Sequence, residues 1–308
     1  MGMNHAIALD IGGTGIKYAL VDEKGGITNE NIIPTETDGV ALSVNLVTVI
    51  KECLDFAIPN GLKIAGIGIG VPSVVDDGNI LFANNLPAIN NKNLPELLKQ
   101  FGLPVFVEND ANLMALGESR YGAAKGLSDV VFLTIGTGVG GALILNGKLY
   151  GGYHNRGTEL GHIIVDANGN ECSCGTARGC LEAHVSISAL LKKYKSLFAG
   201  ESMCPANVDG RYVVERYLEN QPEAIETMED HFHYLSLGIA GFINVFAPQK
   251  VIVGGGISEA GDFYIDRIRE LAMKTAMRET SEFTTIDRAS LGNKAGFMGA
   301  AALVFERF

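Results

Sequence analysis

The chain has 308 residues, enough for one large domain or two of ordinary size. Hydrophobic residues make up 47% and charged residues 19%, which excludes a disordered chain. A formal net charge of -11 with no Lys/Arg block argues against nucleic acid or an anionic membrane as partner; an anionic ligand then needs local donors, such as backbone N–H groups or a metal ion.

The opening MGMNHAIALDIGG carries no basic segment followed by a long apolar one, so no signal peptide is expected. No run of about 18 apolar residues predicts a membrane span. An apolar strand over 6–9 ends in Asp10, and Gly12-Gly13-Thr14-Gly15 turns the chain into a second strand over 16–21. A third strand at 27–33 completes a meander with no helix after the glycines. A helix at 40–57, a strand at 64–70, a helix at 93–101 and a strand at 104–107 follow. The last strand runs into Glu108-Asn109-Asp110, and a helix over 111–122 starts there with Asn109 or Asp110 as its N-cap. Residues 130–149 repeat the opening plan: strand 130–135, then Gly136-Thr137-Gly138-Val139-Gly140-Gly141, strand 142–145 and an Asn146-Gly147 hairpin turn. Residues 182–247 read as mainly helical. Strand 250–253 leads into Gly254-Gly255-Gly256, followed by a helix at 262–279, a strand near 286–291 and a helix at 296–307. A meander followed by βα units, occurring twice, predicts two α/β domains of related build facing each other across a cleft. The division is placed at 1–118 plus 295–308 for the first and 119–294 for the second.

GTGVGG formally matches the dinucleotide fingerprint G-x-G-x-x-G, but that motif needs a helix after the glycines to hold the pyrophosphate. Here a hairpin follows, which opposes a dehydrogenase. No G-x-x-x-x-G-K-[ST] occurs, so no P-loop is expected. Taken singly, each glycine loop is an ordinary hairpin turn. Two of them, each with Thr beside Gly and each ending a hydrophobic strand, point to paired loops that cradle phosphate by backbone N–H groups. The third cluster at Gly255 and Gly256 reads either as a seat for a nucleotide base or as a tight βα turn. Three of the five cysteines fall within CSCGTARGC. This is no secreted disulfide framework, and the spacing C-x-C is not that of a redox C-x-x-C. A structural zinc site accounts for it best.

DIGGTGIKYALVD, GIGIGVPSVVD, VENDAN, TIGTGVGGALI, ELGH, the cysteine cluster, VIVGGGIS and LGNKAGFMGAA occur in the order found in ROK sugar kinases, and the chain resembles that family over nearly its whole length. ELGH followed by C-x-C-G…G-C-x-E is the most specific part. The resemblance implies an α/β two-domain sugar-kinase fold of the hexokinase–actin (ribonuclease H-like) type with an interdomain cleft. It also implies ATP, Mg²⁺, transfer of a phosphoryl group to a sugar hydroxyl and a homodimer or homotetramer; the lack of a signal peptide, a membrane span or a disulfide framework fits a cytoplasmic enzyme. Some family members are repressors with an added N-terminal helix-turn-helix; the first phosphate loop begins at Asp10, which favours an enzyme.

The same resemblance assigns site residues. Asp110 becomes the catalytic base, because a sugar hydroxyl needs a carboxylate to orient it and take its proton. Ser73, Asn85, Asn109, Glu159, His162 and Glu182 join it around the sugar, since carboxylates and amides hold vicinal hydroxyls in a defined geometry. Asp10 falls near the Mg²⁺–phosphate group. Gly12, Gly13, Thr14 and Lys17 form the first phosphate loop, Thr134, Gly136, Thr137 and Gly138 the second, and Gly255 and Gly256 face adenine. His162 becomes the fourth zinc ligand with Cys172, Cys174 and Cys180. The chain departs from the family in a cysteine loop one residue longer (Thr176-Ala177-Arg178), in Ser73 for Gly and in His184 for Tyr. Glucose is the first candidate substrate. N-acetylmannosamine, N-acetylglucosamine, fructose, another sugar, or a non-catalytic sensing role are the alternatives, and polyphosphate as donor finds no support in an acidic chain.

Overall fold

The computed structural model describes residues 3–83, 86–175, 178–198 and 204–308. In chain order the elements are β1 (Asn4–Ile11), β2 (Gly15–Asp22), β3 (Ile27–Pro34), α1 (Gly39–Ala57), β4 (Lys63–Val71), β5 (Val74–Asp76), β6 (Asn79–Phe82), α2 (Leu94–Leu98), β7 (Val105–Asn109) and α3 (Asp110–Tyr121). Then come β8 (Val130–Ile135), β9 (Val139–Leu145), β10 (Lys148–Leu149), α4 (Glu182–Val185), α5 (Ile187–Ser196), α6 (Gly210–Leu218) and α7 (Pro222–Phe246). The chain closes with β11 (Lys250–Gly254), α8 (Asp262–Thr275), α9 (Arg278–Ser281), β12 (Thr285–Arg288) and α10 (Ala295–Arg307).

Two compact units share these elements: Met1–Gly126, Leu149–Gly157 and Asn293–Phe308 in the first, Leu127–Lys148 and Thr158–Gly292 in the second. The division expected from sequence differs in placing 119–126, the excursion Leu149–Gly157 and 293–294 with the second domain. That excursion belongs to the first unit because Asn155 Nδ2 donates to Val75 O (3.0 Å) and to Glu108 Oε1 (2.8 Å). Gly157 N closes it on Gly151 O at 2.7 Å.

The first unit holds a five-stranded sheet in the order β3-β2-β1-β4-β7. β1 pairs antiparallel with β2 and parallel with β4, and β4 pairs parallel with β7. β4 over 65–71 and β1 over 6–9 are apolar and buried on both faces, as strands covered by helices on either side must be. Ile7, Leu9, Ile67 and Ile69 meet Leu46 and Ile50 of α1 in this core. On the other side α10 packs so closely that side chains would not fit. A Cβ on Gly68 would strike the Ala300 carbonyl, and one on Gly299 the Leu113 carbonyl. The small residues of AGFMGAAA thus serve backbone-to-backbone approach rather than helix propensity.

The second unit repeats the plan in the order β10-β9-β8-β11-β12, again an antiparallel meander followed by two parallel strands. Val131, Leu133, Val251 and Val253 pack against Phe232 and Ile239 of α7 and Ile268 of α8. Pro222 opens α7 at its first turn, where its missing N–H costs nothing.

Several elements depart from the sequence pattern. The helix expected over 262–279 breaks: Ala276 and Met277 are extended, and Asn244 Oδ1 accepts from Met277 N at 2.8 Å. The strand expected near 286–291 is β12, which ends at Arg288. The helix expected over 93–101 divides into α2 and a 3-10 turn that stops at Gly102, whose φ is 63°. The small hairpin β5–β6 was not anticipated, although Asp77 (φ 48°) and Gly78 (φ 77°) form the Asp-Gly turn that such hairpins favour. Among the described residues no helix is long and apolar enough to cross a membrane.

His231 of α7 is fully buried, with Nε2 at 2.8 Å from the Tyr264 hydroxyl. Burial pushes its imidazole down to about 4 from the ordinary 6.5. The unfolded chain therefore binds this proton first as the pH falls. The neutral ring contributes its full stabilisation above pH 6.5, and that contribution is lost between about 6.5 and 4. At roughly 1.4 kcal/mol per pH unit the loss is about 3 kcal/mol. Urea unfolding at pH 7 and pH 4.5 should show a smaller drop in His231→Gln than in the parent; equal drops would remove His231 as the cause.

Candidate functional site

Strand register places the first group of site residues. Asp10 pairs with Gly70, Gly70 with Glu108, and Val71 with Asn109, so the carboxyl ends of β1, β4 and β7 lie level on one edge of the sheet. Ligands gather at such edges because the loops that leave them are free to vary. Beyond β1, Gly12 N donates to Gly15 O (2.9 Å), and Thr35 holds the turn from outside through Oγ1 to Gly12 O (2.7 Å) and N to Thr14 O (3.2 Å). Gly13 and Thr14 are exposed at its tip. Asp10 fits there because Gly70 and Gly296 leave room; a Cβ on Gly296 would collide with its carboxylate. Burial lifts this carboxyl above its ordinary value, against a smaller lowering by Lys17. Lys17 lies opposite Asp10 on β2, and its Nζ donates to Asn293 O at 3.3 Å.

At the end of β7, Asn109 is the N-cap of α3: its Oδ1 accepts from Ala111 N (2.9 Å) and Asn112 N (3.2 Å), and its Nδ2 donates to Ser73 O (3.2 Å). Asp110 is then the first helical residue, where the helix dipole favours an anion, and its Oδ1 accepts from Ala111 N at 2.8 Å. Ser73 is buried, and its hydroxyl donates to Val74 O (3.1 Å). Asn85 lies outside the described residues.

Sequence reasoning did not single out Glu108, yet it organises this corner. Its buried Oε1 accepts from Asn109 N (2.9 Å), Asn112 Nδ2 (3.0 Å) and Asn155 Nδ2 (2.8 Å). A carboxylate at the end of a buried strand was the available signal. Asn155, in an unremarkable loop, offered none.

In the second unit Thr134 pairs with Gly140 on β9 and Gly254 on β11, which brings the second and third glycine clusters to one edge. Gly136 N donates to Gly138 O (2.9 Å), closing the second loop. Gly255 has φ of 90°, and a Cβ there would strike the Ile135 carbonyl, so only glycine fits. Beside it a cavity of about 590 Å³ is lined by Ile187, Gly210, Val214, Gly256, Ile257 and Ala260. Asp209, Arg211, Glu215 and Glu259 line it as well, so its wall is mixed apolar and charged.

The ELGH turn lies on the start of β9. Leu160 covers Gly141, Gly161 presses against the Val139 carbonyl, and His162 N donates to Glu159 O (3.0 Å). Glu159 is exposed. The ligand atoms of His162, Cys172, Cys174 and Cys180 all lie within 4.8 Å of one another, and His162 Nδ1 is 3.6 Å from Cys172 Sγ. Tetrahedral zinc with bonds of about 2.0–2.3 Å sets its ligands about 3.5–3.8 Å apart, so this donor set fits. Thr176 and Ala177 of the lengthened loop lie outside the described residues; its base is tied by Gly179 N to Asn170 O (2.7 Å). Burial, and then the neighbouring Cys172 and Cys174, push the Cys180 thiol up to about 12, a direction that a bound cation reverses.

Glu182 follows at the start of α4. Its Oε2 accepts from Val139 N (2.9 Å) and its Oε1 from Ser173 Oγ (2.6 Å). His184 belongs to the packing: it is buried, stacks on Tyr234 with centroids 3.8 Å apart, and lies directly under Gly169.

A model of the ROK family matches residues 6–307. The chain belongs to the ROK family. It is 34% identical to a glucokinase from Thermotoga maritima, over 98% of this chain and 97% of that one. It is 30% identical to a xylose repressor from Bacillus spizizenii, covering 99% of this chain and 78% of the repressor. The crystal structure of a ROK family glucokinase from Streptomyces griseus, in complex with glucose and AMPPNP, is 32% identical and superposes with a TM-score of 0.81 over 98% of this chain and all of that one. This ROK protein therefore has the mixed α/β fold of the ROK sugar kinases.

If the thiol cluster holds its ion, the purified ROK protein should carry about one equivalent of zinc per chain by elemental analysis, and Cys180→Ser should lose it. Retention of zinc in that variant would exclude Cys180 as a ligand.

Proposed function

We propose that this ROK protein is an ATP-dependent sugar kinase, with glucose the first substrate to test, working in the cytoplasm as a homodimer or homotetramer. The observation that carries the reading is Asp110: a carboxylate at the first position of a helix whose cap, Asn109, and neighbour, Glu108, are both fixed by hydrogen bonds. Near-complete coverage of a glucokinase at 34% identity supports it.

In this reading Asp110 orients one sugar hydroxyl and accepts its proton as the new O–P bond forms and the bond to the leaving ADP breaks. Glu159, His162, Asn109 and Glu182 are the groups assigned to the remaining sugar hydroxyls. His162 is anchored for this by the thiol cluster, with Nδ1 turned to Cys172 and Nε2 left on the far side of the ring. Asp10 is the carboxylate assigned to Mg²⁺; half-buried between Gly70 and Gly296, with its carboxyl lifted by desolvation, it would be held ionised by a bound cation. The turns at 12–14 and 136–138 offer backbone N–H groups to phosphates, and the cavity beside Gly256 is assigned to adenine. When bound, Mg-ATP supplies the phosphoryl group and neutralises the charge that develops on it.

A second reading, a sugar-responsive regulator without turnover, draws on the xylose repressor relative. The two separate in one experiment: ADP release from Mg-ATP with glucose, mannose, fructose and N-acetylhexosamines, beside sugar affinity, in the parent and in Asp110→Asn. The kinase reading expects turnover with one sugar, a fall of roughly 10²–10⁴-fold in the variant and little change in sugar affinity. Sugar binding with no ADP release from any of them would favour the regulator.

A further inference from the structure

The carboxylate of Glu182 is turned toward the second glycine loop. Oε2 accepts from Val139 N at 2.9 Å, and a Cβ on Gly138 would come within 2.5 Å of that oxygen. Gly138 is thus empty of side chain where Glu182 reaches the loop. Oε1 accepts from Ser173 Oγ at 2.6 Å, and Cys172 Sγ lies 3.9 Å from it. One carboxylate therefore joins the cysteine segment to the GTGVGG turn.

The surrounding chain reinforces the join. Ile187 N donates to Gly136 O (2.9 Å), and Ser188 Oγ donates to Thr137 O (2.9 Å). Gly161, next to His162, presses against the Val139 carbonyl. A glycine loop of this composition has high backbone entropy of its own, and its N–H groups converge on an anion only if the loop is held. Besides the loop's own Gly136 N to Gly138 O bond, these holds come from the ELGH turn and from the segment that follows the cysteines.

We infer that Glu182 is a positioning residue for the 136–139 loop, so that the thiol cluster, through Ser173 and Glu182, sets the affinity for the nucleotide phosphates as well as shaping the sugar side. This rests on the kinase reading, because it takes the loop to be a phosphate loop. A role confined to the sugar makes a different prediction. It leaves nucleotide affinity without sugar unchanged when Glu182 is altered.

The test is calorimetric titration of Mg-AMPPNP into sugar-free protein, for the parent, Glu182→Ala, Glu182→Gln and Ser173→Ala, with zinc content measured for each. Glu182→Ala should weaken Mg-AMPPNP about tenfold, the scale of a lost hydrogen bond to a charged group. Glu182→Gln keeps an acceptor for Val139 N and should restore most of that loss. Ser173→Ala removes neither a metal ligand nor the carboxylate and should weaken binding about threefold. Unchanged affinity in Glu182→Ala with its zinc retained overturns the inference. If Glu182→Ala loses zinc, Ser173→Ala decides, and unchanged affinity there overturns it. A parent protein that binds no Mg-AMPPNP overturns the kinase reading itself, and this inference with it.

Discussion

Parallel pairing in register is the constraint on which the rest depends. Asp10, Gly70 and Glu108 stand side by side because β1, β4 and β7 run the same way and end at the same level. Shifting β4 by one residue against β1 would turn its side chains to the opposite face and carry Gly70 away from Asp10. The second sheet repeats the arrangement with Thr134 and Gly254. The residues of the candidate site are thus placed by strand ends held in register within each unit.

Above that framework, two carboxylates act as cross-links rather than as surface charges. Glu108 gathers three N–H donors from its own strand end, from α3 and from the excursion at 149–157. Glu182 joins the cysteine segment to a glycine turn. Both belong to residue types that are solvated on most surfaces, and both are held here by charge-assisted hydrogen bonds to N–H and O–H groups. Such ties are directional, which the surrounding apolar packing is not. They fix loop geometry where glycine would otherwise leave it free.

What was legible in the sequence was local. An apolar run into Gly-Gly-Thr-Gly reads as a strand and a turn, three cysteines in nine residues read as a metal clip, and the residues before the 111–122 helix read as its cap; the structure assigns that cap to Asn109. The repeat of meander and βα units followed from the same periodicities. What was not legible depended on partners distant in the chain. Nothing near Thr275 signals the end of α8; Asn244, on α7, receives the Met277 N–H and stops the helix. Nothing near Asn155 shows that it will meet Glu108. Gly296 reads as a weak spot in a helix until its neighbour proves to be Asp10. His184 stands where the family has Tyr, and its place in the packing, stacked on Tyr234 of α7, also depends on a partner distant in the chain. The Asp77-Gly78 turn between β5 and β6, by contrast, is a local signal.

The close fit of α10 also orders events in time. Its backbone lies against Gly68 and Leu113 of the first unit, yet residues 295–307 are made after the whole of 158–292. On the ribosome the first sheet must therefore wait with the α10 side of β1 and β4 uncovered until the last helix emerges, while the second unit already has every strand it needs. When it arrives, Gly68 and Gly299 let sheet, α3 and α10 close backbone to backbone, a fit that any side chain at either position would hold open.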